Sequence, residues 1–306
     1  MLIQPAPIAA PHALLHLRQQ LERPQRALQV AAIGHLVPRG DFAGRVHSTF
    51  AQACNIACGD ALLTLVTPRA GHGPTSIELH DAPADLRGWF TTGDALVCRH
   101  GIARSPRVTL DFTQARVWRP AARRSTVPPS RWHPRLLSAT AWLARRQRER
   151  SSVIAGAAAD AAGELTAACR ALQGARAAQL ATRLVGWGEG LTPAGDDFLV
   201  GLCAGLDALL ADDPARIACR AALSDALVAA VSRTPTISAH HLRLAAGGHF
   251  GERLLDARDA WLSDTPWRDV EAAWRAACAI GATSGADALS GLLGALRAWH
   301  PVACTA

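Results

Sequence analysis

STVPPS, residues Ser125 to Ser130, divides this chain into two textures. On its N-terminal side, as far back as Ala27, short runs rich in Val, Ile, Leu and Thr alternate with turn signals. The runs predicted as strands are Ala27–Val37, Gly44–Phe50, Ala61–Thr67, Ser76–His80, Asp94–Arg99, Arg107–Asp111 and Ala115–Arg119. Pro38-Arg39-Gly40-Asp41, Cys58-Gly59-Asp60 and Ala70-Gly71-His72-Gly73-Pro74 punctuate them. So many short strands in so short a span predict a small antiparallel β barrel or sandwich. On the C-terminal side, alternation gives way to Ala and Leu at helical spacing. Helices are predicted over 134–150, 153–162, 164–184, 193–211, 214–231, 237–250, 252–262, 269–280 and 285–299. The fold class is therefore α+β. A β-rich domain spans 1–124, opening with a short amphipathic helix at Ala13–Glu22; a Pro/Arg-rich linker spans 125–133, and an all-helical domain spans 134–306.

All 32 basic residues are Arg, and the chain contains no Lys and no Tyr. That composition excludes a Schiff base, a pyridoxal-phosphate anchor, a P-loop lysine and tyrosine acid/base chemistry. An anion must be held by Arg, by backbone N–H groups or by a metal. The Arg-for-Lys, Ala-rich bias reflects coding composition, so the net charge of +7 is discounted as a sign of nucleic-acid binding. Residues 116–150 hold ten Arg against the single acid Glu149, yet contain no recognition module for nucleic acid. A solvated linker and helix face, or a docking surface for an acidic partner, is the better reading, and no nucleic acid is expected. Eight Cys are scattered without a zinc-type spacing and read as buried, reduced thiols. No signal-peptide pattern and no long apolar window appear, so no membrane association and a cytoplasmic location are expected.

Within the helical half lies GWGEGLTPAGDDFLVG, Gly186 to Gly201. Gly186, Gly188 and Gly190 free the backbone for positive φ angles and close approach of a ligand. Thr192 is the predicted N-cap of the following helix, with Pro193 at its first position. The unpaired N–H groups of that first turn then face whatever the glycine loop holds, which is an anion site. Two companions also open helices: Thr234-Pro235-Thr236-Ile237-Ser238-Ala239-His240-His241 and Gly281-Ala282-Thr283-Ser284-Gly285-Ala286-Asp287. If the three starts converge, Gly186, Gly188, Gly190, Thr192, Gly195, Ser238, His241, Thr283, Ser284 and Gly285 are the candidates for binding a small anionic substrate. Asp196, Asp197 and Asp287 are then the candidate catalytic acids.

Blander roles compete with these. Ser284 and Asp287 fit a capping box, which is the better reading of that pair alone. Adjacent Asp196 and Asp197 point about 100° apart, so only one faces a common site. Adjacent His240 and His241 cannot both face one metal, and a lone His is more often structural. In the β domain, Arg45, His47 and His72 are candidates to contribute to the site, with hairpin roles favoured.

These motifs are familiar. GWGEGLTPAGDDFLVG, followed by TISAHHLRLAAGGHF and GATSGADALSGLLGAL, resembles the AllH-type family; FAGRVHSTFAQACNI and GHGPTSIEL are similar to that family's opening. The family pattern often carries a His where this chain has Ala282. The resemblance implies one subunit of oxamate carbamoyltransferase, acting at the end of anaerobic allantoin (purine) catabolism. That complex splits oxalurate with phosphate into oxamate and carbamoyl phosphate, beside an acyl-CoA-synthetase-like subunit of the FdrA type and an AllG-like subunit. Such a transfer needs an anion cradle and oxyanion stabilisation, which helix starts supply, and no redox cofactor. The leading expectation is thus a carbamoyltransferase subunit with its anion site at the glycine motif. Two alternatives stand beside it. One is a non-catalytic scaffold or regulatory subunit; the other is a stand-alone enzyme using Mg²⁺ through Asp196 or Asp197 on a small phosphorylated or carboxylate substrate. Homo-oligomerisation is a further expectation.

Overall fold

The computed structural model describes residues 26–121, 125–150 and 157–300. The helix predicted at Ala13–Glu22, the start of the one predicted at 153–162, and Cys304 lie outside them. The chain divides into two units, Met1–Pro120 and Ala121–Ala306.

In the first unit the described strands are β1 (Arg26–Gly34), β2 (Phe42–Thr49), β3 (Ala53–Cys58), β4 (Ala61–Val66), β5 (Ser76–Leu79), β6 (Ala95–Arg99), β7 (Ile102–Arg104), β8 (Val108–Asp111) and β9 (Arg116–Trp118). They hydrogen-bond in the order β5-β4-β3-β2-β6-β7-β8-β1, and β1 pairs back with β5 to close an eight-stranded barrel. β1 achieves the closure with its two halves: Arg26–Gln29 runs parallel to β8, and Val30–Ile33 runs antiparallel to β5 across a register shift. β9 extends the same edge of β1 beyond β8. Most pairings are antiparallel, as expected; β1–β8, β1–β9 and β4–β5 are parallel.

Alternate side chains fill the barrel, among them Val30, Val46, Ile56, Leu63, Leu65, Ile77, Leu79, Leu96 and Leu110. Two strands escape the sequence reading. β3 is ACNIAC, which contains a single β-branched residue, and β7 is three residues long. Both are held by neighbours on each side rather than by propensity.

The second unit contains, among the described residues, α1 (Pro129–Arg150), α2 (Ala157–Arg170), α3 (Gly174–Leu184), α4 (Ala194–Ala208), α5 (Pro214–Ala230), α6 (Thr236–Ala246), α7 (Glu252–Leu262), α8 (Trp267–Ala277) and α9 (Ser284–Ala298). None is long and apolar enough to cross a membrane. α1 starts five residues earlier than its predicted start, inside the predicted linker, and Pro134 lies within it. Packing overrides the proline: Trp132 donates to Leu296 O and meets Trp261 edge-on at 4.6 Å. The break between α2 and α3 falls at Leu172 (φ +56°), not at Gly163, which stays helical. A leucine in left-handed backbone has no sequence signature.

α4 and α9 form the centre. Between Gly195 and Leu206 every α4 residue except Val200 is buried, as expected of a helix that is apolar all round. A Cβ on Gly201 would lie 1.7 Å from Ala288 O, and one on Gly291 would lie 1.8 Å from Phe198 O. Only glycine permits backbones to touch so closely. Successive contacts, Thr192 with Ser284, Phe198 with Gly291 and Gly205 with Ala295, advance in the same direction along both helices. The two helices are therefore parallel, and their N-termini share one end.

Candidate functional site

α3 closes at Leu184, and the glycine loop carries the chain to α4. Gly186 has φ +75°, and a Cβ there would strike Arg233 O at 2.4 Å, so it needs glycine on both counts. Gly188 is similar, its virtual Cβ lying 2.7 Å from Ala194 N. Gly190 differs. Its φ is +86°, it is exposed, and a Cβ there would meet nothing within 4 Å. Gly195 lets the first turn of α4 press on Leu184 O, which a Cβ would approach to 2.2 Å. Gly186, Gly188 and Gly195 are thus occupied by packing, and Gly190 is the position where the loop opens outward.

The three helix starts do converge. Pro193, not Thr192, is the N-cap of α4, and the Thr192 hydroxyl instead reaches across to Ser284 Oγ at 2.9 Å. On α9 the N-cap is Thr283, with no side-chain capping bond, so Ser284 and Asp287 do not make the capping box. α6 joins through Asp196. The Gly186 N–H donates to Asp196 Oδ1 (2.8 Å), while the hydroxyls of Thr234 and Ser238 (2.6 Å) both donate to Oδ2. This carboxylate is 1 % exposed and ties together the glycine loop, the start of α6 and the start of α4. Part of the predicted anion cradle is therefore filled from within: Ser238 and the Gly186 N–H serve Asp196. Thr234, which completes the triad of donors, is the residue that sequence reasoning did not single out; its place just before Pro235 at a helix start was the available signal.

Asp197 is oriented differently, as the 100° step predicts. It is 8 % exposed, its Oδ2 has no hydrogen-bond partner, and Ser284 hydrogen-bonds to its carboxyl. Burial pushes its pKa up to about 7; Ser284 pulls the other way, and the charges of Asp287 and Asp196 add to the rise. Asp287, on the first turn of α9, is 1 % exposed. Thr283 and Ser284 are half-buried. Gly285 belongs to packing, since a Cβ there would lie 2.1 Å from Ala277 O.

His241 is exposed on α6; the neighbouring His240 ring, 6.1 Å away, is buried and its pKa is driven down to about 3, by burial first and then by His241 and Arg243. Among the described residues no group of three or more metal-ligating side chains comes together.

The candidates of the β unit have local partners. Arg45 donates to Gly93 O (3.1 Å), His47 Nδ1 lies 3.1 Å from Ser48 Oγ, and His72 Nδ1 lies 3.0 Å from Glu78 Oε2 with its ring stacked on Trp118. In the Arg-rich stretch, Arg131 pairs with Asp264 (2.5 Å), Arg145 with Glu271 (3.7 Å), and buried Arg135 donates to the carbonyls of Trp261 and Thr265. These arginines tie α1 to α7, α8 and the turn between them.

Two family models match the chain. Residues 26–117 match the AllH family N-terminal domain, and residues 184–296 match oxamate carbamoyltransferase subunit AllH. Neither a curated protein nor a solved structure gave a match. The second match begins at Leu184, two residues before the glycine loop, and runs through all three helix starts, so the geometry just described lies wholly within it. On these two matches the chain belongs to the AllH family, whose model is that of a subunit of oxamate carbamoyltransferase.

Proposed function

We propose that this subunit holds substrate for carbamoyl transfer between oxamate and phosphate, at the meeting point of the glycine loop with the starts of α4 and α9. In this reaction N-carbamoyl oxamate (oxalurate) is attacked at its carbamoyl carbon by a phosphate oxygen. The bond to the oxamate nitrogen breaks, that nitrogen takes up a proton, and carbamoyl phosphate is formed. The anionic part of the ligand lies over Gly190, held by backbone N–H groups of the loop, with the hydroxyls of Thr192 and Ser284 facing its carbamoyl end. Two parallel helices add their N-terminal partial charges at the same point. FdrA-like and AllG-like subunits complete the assembly in this reading, and no cofactor is required. The observation that carries it is the joining of Thr192 to Ser284 across two parallel helix starts, beside an exposed, unobstructed Gly190.

A thermal-shift series on the full chain tests it, with phosphate, oxamate, oxalurate and carbamoyl phosphate, each with and without Mg²⁺. A ligand at a hundred times its Kd adds about 2.7 kcal/mol to stability. A shift that disappears in Gly190→Val, with circular dichroism unchanged, supports the site. The scaffold reading draws on the Gly201 and Gly291 contacts, which show how much of this glycine-rich segment serves helix packing. Failure of every ligand, both with the chain alone and with its partner subunits present, would put that reading first.

A further inference from the structure

The carboxyls at this site do not suit an anion. Asp196 already has three donors, but Asp197 offers a buried Oδ2 with none. The groups that act on Asp197 are Ser284, Asp287 and Asp196, and no cation is among them. A phosphate or a ligand carboxylate pressed into that corner would meet like charge without compensation. A strongly cationic ligand would suit the charge, but the transfer reaction presents none. What complements an acceptor-rich, cation-free corner is a neutral group rich in N–H donors, and every carbamoyl compound carries one in its terminal –NH2.

We infer that Asp197, with Ser284 beside it, recognises the –NH2 of the carbamoyl group, and that the anionic end of the ligand points outward over Gly190. This rests on the carbamoyl-transfer reading and gives the ligand a direction. The amine is the inner end, donating to Asp197 Oδ2. The carbamoyl oxygen faces the hydroxyls of Thr192 and Ser284, which are 2.9 Å apart. The charged end stays where the loop is exposed and a Cβ on Gly190 would meet nothing. Asp197 is in this role the residue that selects carbamoyl over acyl groups, because a methyl in place of –NH2 leaves its oxygen without a partner.

The test compares N-carbamoyl oxamate with N-acetyl oxamate, which differs only by methyl for amine, by titration calorimetry on the full chain and on its complex with partner subunits. Wild type should bind the carbamoyl compound at least about tenfold more tightly. In Asp197→Leu the ratio should fall to about one while the affinity for the acetyl compound is retained. Asp197→Asn guards against a folding failure of the leucine variant: it keeps the shape but turns an N–H toward the ligand amine, and should lose most of the preference. Equal affinities in wild type, or an unchanged ratio in the variants, overturn this assignment and leave the glycine-loop site standing. Failure of both compounds and of oxamate itself, in chain and complex alike, overturns the site and the assignment together.

Discussion

Replacing Asp197 by Asn should stabilise this protein at alkaline pH and do nothing at acid pH. The carboxyl of Asp197 is held at about 7 against an ordinary 3.8, chiefly by burial, with a further push from Asp287 and Asp196. The folded chain therefore binds this proton more tightly than the unfolded chain does. Stability is undiminished below about pH 4, falls as the pH rises toward 7, and is level above that. A gap of about three pKa units at 1.36 kcal/mol each gives a cost of about 4 kcal/mol at pH 8. Asparagine keeps the shape and an acceptor for Ser284, but it cannot ionise. For a helical unit of this size, 1 kcal/mol is worth about 2–4 °C, so the variant should melt about 8–16 °C above wild type at pH 8. At pH 4 the two should melt together. Calorimetric scans of both proteins at pH 4, 6 and 8 read this directly. A variant less stable than wild type at pH 8, or a difference that does not change with pH, would refute the reasoning.

The neighbouring acid behaves oppositely: Asp196→Ala strands the Gly186 N–H and the hydroxyls of Thr234 and Ser238, and should cost about 3–5 kcal/mol in urea unfolding. A wild-type midpoint would mean that this network does not hold the loop. Gly291→Ala must drive a methyl into Phe198 O and Leu202 N, and should cost about 3 kcal/mol or more, seen as lost soluble yield and a lowered midpoint. Arg220→Met removes the buried cation that binds Asp207 on α4 (2.6 Å) and also donates to the Ala245 carbonyl at the end of α6 (2.6 Å). A loss of about 3–5 kcal/mol is expected, with much of it restored when Asp207→Asn is added, since the penalty lies in the stranded carboxylate.

The passage from β strands to helices was legible because it is a change of period, from alternation to helical spacing, sustained over long stretches on both sides; the two units part at Pro120, short of STVPPS. Closure of the barrel was less so. It depends on β1 pairing with β8 through one half and with β5 through the other, and no local signal marks the register shift between Val30 and Ala32. The helix starts were legible as Pro- and hydroxyl-rich segments, yet the caps were misassigned. Pro193 and Pro235 occupy the N-caps of α4 and α6, and Thr283 that of α9, which leaves Thr192, Thr234 and Ser284 to make tertiary bonds. Sequence offers Ser and Thr as caps because it sees only the local competition for the N–H groups. It cannot see Ser284 lying 2.9 Å from Thr192, ninety-two positions away.

Asp196 and Asp197 show how one helical step separates structure from function. The same burial acts on both, and both stand in the first turn of α4, where the helix dipole favours negative charge. Asp196 faces the glycine loop and α6 and gains three donors, so its negative charge is answered within the fold. Asp197 faces α9, where the neighbour is another acid and the one hydroxyl beside it is shared with Thr192. Were stability alone at issue, an apolar residue or Asn would serve better at that position, and the parallel packing of α4 on α9 would not bring Asp287 to the same end. A buried, under-satisfied carboxyl kept against a gradient of about 4 kcal/mol is what the proposed binding role for Asp197 predicts. On this proposal the two adjacent aspartates should answer to different assays: Asp196 to unfolding, and Asp197 to the choice between an amine and a methyl.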